Sequence, residues 1–181
     1  MDGAAVVLVE GGSDAVLVRH VLAAHGAAAD VVPMGGVTNL GRFLAERGGP
    51  SRRVLALVDA DQLRVAVRVL RRFGRDAETA EELRRHGVFV CRRDLEDLMI
   101  RALGPETVLD ALAAMGELGA FEAFSVMPQW RRAHVTDRLH RFAGSGSGRK
   151  ARLAAALAPR LDPGDLPDPL DALVGAVLAA G

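Results

Sequence analysis

"VLALVDADQ", residues 54–62, decides the fold. Five apolar residues run without interruption into Asp59-Ala60-Asp61. A short, continuously apolar run marks a strand buried on both faces, as in a parallel sheet. Its abrupt end in two carboxylates has two readings. Either the chain turns a corner there and caps a helix, or the acids grip a cation.

The flanking sequence repeats the strand pattern. "AAVVLV" (4–9) ends in Glu10-Gly-Gly-Ser-Asp14. "SDAVLVRHVLAAHG" (13–26) then spaces its apolar residues as a helix does, opened by Ser13 or Asp14 and stopped by Gly26. "ADVVPM" (29–34) is the next strand. "GGVTNLGRFLAERGG" (35–49) predicts a helix capped by Thr38 and ending near Gly48. After the "RVLALV" strand (53–58), "QLRVAVRVLRRFG" and "AETAEELRRHG" read as helices broken near Gly74. "VFV" (88–90) is a fourth strand, and Asp94 opens a helix in "RDLEDLMIRALG" (93–104). Alternating strands and helices argue an α/β fold with a mainly parallel, four-stranded, Rossmann-like sheet flanked by helices.

After Pro105 the pattern is helical: "PETVLDALAAMGELGAFEAF", "PQWRRAHVTDRLHRFA", "RKARLAAALAPRL" and "DPLDALVGAVLAA". We therefore expect an α/β unit over 1–104 and a helical C-terminal extension over 105–181. "GSGSG" (144–148) reads as a flexible joint and "DPGDLPDP" (162–169) as a turn-rich connector. Met115, Met127 and Trp130 read as core residues. The apolar segment "DALVGAVLAA" can bury itself or join two copies of the chain in a homodimer.

Composition bounds the chemistry. Cys91 is the single cysteine, which excludes an intrachain disulfide framework and a multi-cysteine zinc site and fits a reducing, cytoplasmic setting. Beside Arg92-Arg93 it reads as a buried thiol rather than a reactive one. The N-terminus lacks a basic n-region, and no run is long enough to span a bilayer. Net charge is zero, yet arginines come in pairs: Arg52-Arg53, Arg71-Arg72, Arg84-Arg85, Arg92-Arg93 and Arg131-Arg132. The five histidines show no metal-ligand spacing to the acids.

In a parallel α/β sheet, ligands gather at the carboxyl ends of the strands. Glu10 and Asp59 each terminate a strand, Asp61 follows two residues later, and Asp14 lies about one helical turn after Glu10. Adjacent strands are ~4.8 Å apart, so such acids can converge within one ion's reach. Converging carboxylates repel and raise each other's pKa unless a cation intervenes. Mg²⁺, or Mn²⁺ in its place, suits an all-oxygen site completed by water and phosphate. "PMGGVTNL" (33–40) can also offer backbone N–H groups to phosphate. "GSGSGRK" (144–150) is not a P-loop, because Arg149 rather than Gly precedes the lysine and Ala151 follows it.

"VLVEGGSDAVLVRHVL" (7–22) followed by "VLALVDADQ" resembles the Toprim domain of primases, topoisomerases and several nucleases. The fuller pattern, with Asp14, the "GGVTNLGRFL" segment and "RDLEDLMI", most resembles the Toprim half of the OLD (overcoming lysogenisation defect) nucleases. The resemblance covers about the first hundred residues. It implies that Glu10, Asp14, Asp59, Asp61 and Glu96 bind metal, and that Lys150 stabilises charge at the scissile phosphate. Glu96 and Asp97 also suit the N-terminus of a helix on purely structural grounds. OLD proteins usually carry an ATPase ahead of the Toprim part; this chain shows none, which implies a standalone module or a separate ATPase partner.

The reaction expected on these grounds is two-metal hydrolysis of DNA phosphodiester bonds, with arginine pairs on the phosphate backbone and little reading of bases. With no tyrosine in the chain, a covalent phosphotyrosine cannot form. The alternatives are a Toprim nucleotidyltransferase or RNA-processing nuclease, a phosphatase with Asp59 as nucleophile, and a non-catalytic nucleic-acid-binding regulator. HAD-type phosphatases carry their Asp-x-Asp on the first strand; here it follows the third.

Overall fold

The computed structural model describes residues 5–47 and 53–180. Ala4 of the first strand, Gly48 at the expected end of the second helix, and Arg52 of the first arginine pair lie outside the described residues. The strands are β1 Ala5–Val9, β2 Ala29–Pro33, β3 Val54–Val58 and β4 Val88–Val90. All pair in parallel, in the order β2-β1-β3-β4. Val7 pairs with both Val31 and Leu55, and Leu57 pairs with Phe89.

The uninterrupted apolar runs follow from this order. β1 has a strand on either side and helices above and below, so all five of its residues are buried. Alternate residues serve different layers. Val7, Val9, Leu55, Leu57 and Phe89 join one cluster with α1 (Gly12–Ala24) and α5 (Leu95–Ala114). Val6, Leu8, Ala56, Val58 and Val88 join the other with α2 (Leu40–Arg47), α3 (Leu63–Arg72) and α4 (Ala80–Arg85). Each such Val or Leu contributes about 1.5–3 kcal/mol relative to exposure, so a charge placed at Val7 or Leu8 would cost the sheet its centre.

Local signals end the helices. At the end of α1, Gly26 takes φ 63° and Ala27 N–H donates to the Leu22 carbonyl at 2.9 Å, a closure that favours glycine. Thr79 caps α4, accepting from Glu82 N–H at 3.2 Å, while Glu82 accepts from Thr79 N–H. Thr38 does not cap α2. It lies inside a 3₁₀ turn, Val37–Asn39, and the helix starts after it.

Helix α5 breaks at Gly104 (φ 79°), with Pro105 starting its second half. The expected helix over 105–124 is in fact two. Gly116 (φ 70°) separates α5 from α6 (Leu118–Ser125). Residues 128–134 form turns rather than helix, and α7 spans Val135–Ala143. Met127 is 43% exposed instead of core, and Trp130 stacks on Phe124 at 5.4 Å. Helices α8 (Arg149–Leu157) and α9 (Leu170–Leu178) follow. Their Leu153, Leu157, Leu170, Leu173, Val174 and Val177 enter the same cluster as α1 and α5, so the apolar C-terminal segment buries itself.

The "GSGSG" segment is tied down rather than loose. The Arg149 guanidinium sits 3.9 Å over the Phe142 ring, donates to the Phe142 carbonyl and Ser145 Oγ, and pairs with Glu117. No helix among the described residues is long and apolar enough to cross a membrane.

Candidate metal centre

The chain leaves β1 for β2 on one side, then crosses to β3 on the other. This reversal opens a crevice outside the carboxyl ends of β1 and β3, where α/β sheets collect ligands. Glu10 follows β1 and Asp59 follows β3. Glu10 Oε1 accepts the Asp59 amide N–H at 2.8 Å, so the two strand ends are fastened together at the position of both acids. Asp14, in the first turn of α1, accepts Gly11 N–H at 2.8 Å and so faces back toward Glu10. Asp61 lies in the 3₁₀ turn Ala60–Gln62, held by the Gln62 amide at 3.0 Å.

The electrostatics show how closely these groups share one space. Burial pushes the Asp59 pKa up, and the charges of Glu10, Asp14, Asp94 and Glu96 push it further, to about 8. Glu10 is also raised: burial and the charges of Asp14 and Asp61 outweigh the hydrogen bond from Asp59 N–H and the attraction of Lys150. Asp14 is raised by burial and by Glu96, against the bond from Gly11. Asp59 thus feels Glu10, Asp14 and Glu96, and Asp61 joins them through Glu10.

Lys150, in the first turn of α8, reaches the same group. Its Nζ lies 3.1 Å from Glu96 Oε1. Burial pulls its pKa down, but Glu96, Asp94 and Asp14 outweigh that and hold it charged.

Two residues of this neighbourhood carry more than the sequence suggested. Asp94 caps α5 as expected, accepting Asp97 N–H at 2.8 Å, but its other oxygen meets His140 Nε2 at 2.5 Å. His140 comes from α7, 46 residues away, and no spacing rule flags such a pair. Burial raises Asp94, and the bonds from His140 and Asp97 outweigh it, so its pKa is lowered. Cys91 is buried, and burial with the nearby carboxylates pushes its thiol far up, away from reactivity. Gly35 and Gly36 do not offer their N–H groups outward; both donate to the Glu10 carbonyl, at 3.1 and 3.3 Å.

The donor set suits a hard divalent cation: the groups are carboxylates, and their repulsion is relieved by positive charge. Among the described residues, no three His, Cys, Asp or Glu side chains close into a ready-made cage. Mg²⁺ does not require one, since it is usually held by one or two carboxylates, with water and phosphate oxygens filling the octahedron.

No family model matches the chain, and no curated protein matches it. Solved structures do. The chain is similar to the C-terminal region of the Xanthomonas campestris pv. campestris OLD protein (TM-score 0.70, 21% identity, covering 98% of this chain and 95% of that one). It is similar to the C-terminal region of the Burkholderia pseudomallei OLD protein (TM-score 0.69, 18% identity, covering 100% of each). At these identities the likeness is one of fold: a Toprim-like α/β arrangement with flanking helices, as the sequence motifs led us to expect.

Proposed function

We propose that this chain is a divalent-metal-dependent nuclease that hydrolyses DNA phosphodiester bonds with low sequence specificity. One observation carries the reading: Glu10 and Asp59, from strands apart in sequence, are fastened at the switch point of the sheet with no ion pair to either among the described residues. The fold likeness to OLD C-terminal regions supports it.

Glu10, Asp14, Asp59, Asp61 and Glu96 are the carboxylates that would hold the Mg²⁺ or Mn²⁺ ions, with water and substrate phosphate completing each shell. When bound, such ions neutralise the phosphate and stabilise the attacking and leaving oxygens of an in-line displacement. The chain's own groups do the rest. The hydrogen bond from the Asp59 backbone N–H fixes the Glu10 carboxylate against the end of β3. Lys150, kept charged by Glu96, supplies a fixed cation for the substrate phosphate. A carboxylate of the group takes the proton of the attacking water.

The test is supercoiled plasmid incubated with purified protein in Mg²⁺, Mn²⁺ or EDTA. Nicking that requires metal and disappears in Asp59→Asn supports the nuclease. Binding without cleavage would instead favour a regulator, and turnover of small phosphate esters a phosphatase.

A further inference from the structure

The structure sorts the arginines into those already engaged and those that are not. Arg84 is held by Asp168 at 2.6 Å, Arg101 by Asp97 at 2.7 Å, Arg47 by Asp30 at 3.0 Å, and Arg149 and Arg152 by Glu117. Each has an acid of its own chain beside it. Helix α3 differs. From Arg64 to Arg75 the chain carries Arg64, Arg68, Arg71, Arg72 and Arg75 and not one acid, in a protein whose net charge is zero. All five are exposed. Arg71 pairs with Glu78 at 2.7 Å; Arg64, Arg68 and Arg72 make no ion pair among the described residues.

Their spacing puts them on one face. Arg64, Arg68 and Arg72 are four residues apart, and with Arg71 and Val67 they line one shallow depression. Like charges four apart destabilise a free helix, so this face gains from an anion outside the chain. The depression is also tied to the carboxylates. Helix α3 begins directly after Asp59-Ala60-Asp61 and the turn Ala60–Gln62. Because it connects two parallel strands, it runs from the site edge of the sheet back toward the opposite edge. From Arg64 to Arg72 it rises ~12 Å. That length spans about three phosphates of one strand of a duplex.

We infer that the exposed face of α3, from Arg64 through Arg68 to Arg71-Arg72, is the track along which a nucleic acid backbone leaves the carboxylate site. This rests on the nuclease reading and adds to it which surface holds the substrate. The track contacts phosphate and no base edge, which fits low sequence specificity. The complement is a regularly spaced polyanion; DNA and RNA share that chemistry.

The experiment is fluorescence anisotropy of labelled DNA and RNA duplexes with the full chain, across a salt series, with Ca²⁺ in place of Mg²⁺. Wild type is compared with Arg64→Gln/Arg68→Gln and with Arg141→Gln/Arg160→Gln, two solvent-exposed arginines elsewhere. Circular dichroism melts confirm that each variant folds. The expected result is a weakening of roughly tenfold for the α3 variant, with the slope of log K against log salt reduced by about two, and little change for the control pair. Response with either polymer supports the track and names the substrate. An unchanged slope in the α3 variant, while wild type binds, overturns the track and leaves the nuclease standing. Equal loss in both variants also overturns it, since the attraction is then diffuse. Equal binding of poly-glutamate with the same α3 dependence assigns the face to acidic protein instead. Failure of wild type to bind either nucleic acid overturns both readings.

Discussion

Two acidic neighbourhoods meet at the carboxyl edge of the sheet, and they are built on opposite terms. At the start of α5, Asp94 has His140, Glu96 has Lys150, and the buried Asp97 has Arg101 at 2.7 Å and Arg93 at 3.7 Å. Each acid there has a cation or imidazole of the chain beside it. At the ends of β1 and β3, Glu10 and Asp14 accept hydrogen bonds from the Asp59 and Gly11 amides and from Ser13, and feel Lys150 without an ion pair to it among the described residues. Asp59 has no ion pair among the described residues, and the consequence is visible in the titration. Asp94 is lowered whereas Asp59 is driven up to about 8. Both are partly buried, so burial does not explain the difference. The chain places a cationic or imidazole partner within ion-pair distance of Asp94, Glu96 and Asp97 and, among the described residues, of neither Glu10 nor Asp59; on the proposed reading Glu96, at the border of the two neighbourhoods, serves both.

The largest expected effect follows from removing the Asp59 charge. Asp59→Asn should abolish plasmid nicking, by more than about a hundredfold, while raising the melting temperature of the metal-free protein at pH 8. Loss of activity together with gained stability is the mark of a strained functional group. An Asp59→Asn protein that melts lower than wild type in EDTA would erase the contrast.

Next is the converse change, which makes the compensated neighbourhood resemble the other. His140→Ala leaves a partly buried Asp94 without its partner and should cost about 1–3 kcal/mol, a drop of roughly 3–10 °C in a melt. Nicking should fall far less than in Asp59→Asn. If the two variants lose activity equally, His140 belongs to the chemistry and the division between the neighbourhoods is wrong.

pH separates the regions by sign. Folded Asp59 keeps a proton that the unfolded chain gives up near its ordinary value of 3.8, so its contribution falls as pH rises toward about 8. Asp94 is lowered, so its contribution is present above 3.8 and disappears as pH falls through its folded value. Metal-free protein should therefore lose melting temperature between pH 5 and 9, and Asp59→Asn should flatten that slope. Wild type with a flat profile over this range would remove the electrostatic basis of the site.

The smallest effect is expected at Glu96. Lys150 is half-exposed, so breaking their pair in Glu96→Gln should change stability by under about 1 kcal/mol. A larger fall in Mn²⁺ affinity, read by calorimetry, would assign Glu96 to metal; an equally small one would assign it to positioning Lys150.

Much of this arrangement was legible in the sequence because one signal encoded two things. The apolar runs at 5–9 and 54–58 mark strands buried on both faces, and the acids that stop them mark the edge where ligands sit. What was hidden depends on contacts between distant residues. Asp94 and His140 belong to segments that each read adequately as a helix cap and a helix. Only the packing of α7 against α5 brings them together. The same holds for "GSGSG", whose composition signals looseness but whose neighbours Arg149 and Phe142 anchor it. Gly116, read as part of a continuous helix, takes a left-handed φ that ends one. Met127 counted as core by residue type, yet the turns that follow α6 leave it in solvent.

On the proposed reading the Glu10–Asp59 crevice needs a divalent ion from outside the chain. The most direct test is the melting temperature of wild type and Asp59→Asn at pH 8, each in EDTA and in excess Mn²⁺. Wild type should gain about 5–10 °C from Mn²⁺, as for an ion present at roughly a hundred times its dissociation constant. Asp59→Asn should start higher and gain almost nothing. No shift in wild type, or the same shift in both proteins, would contradict the account.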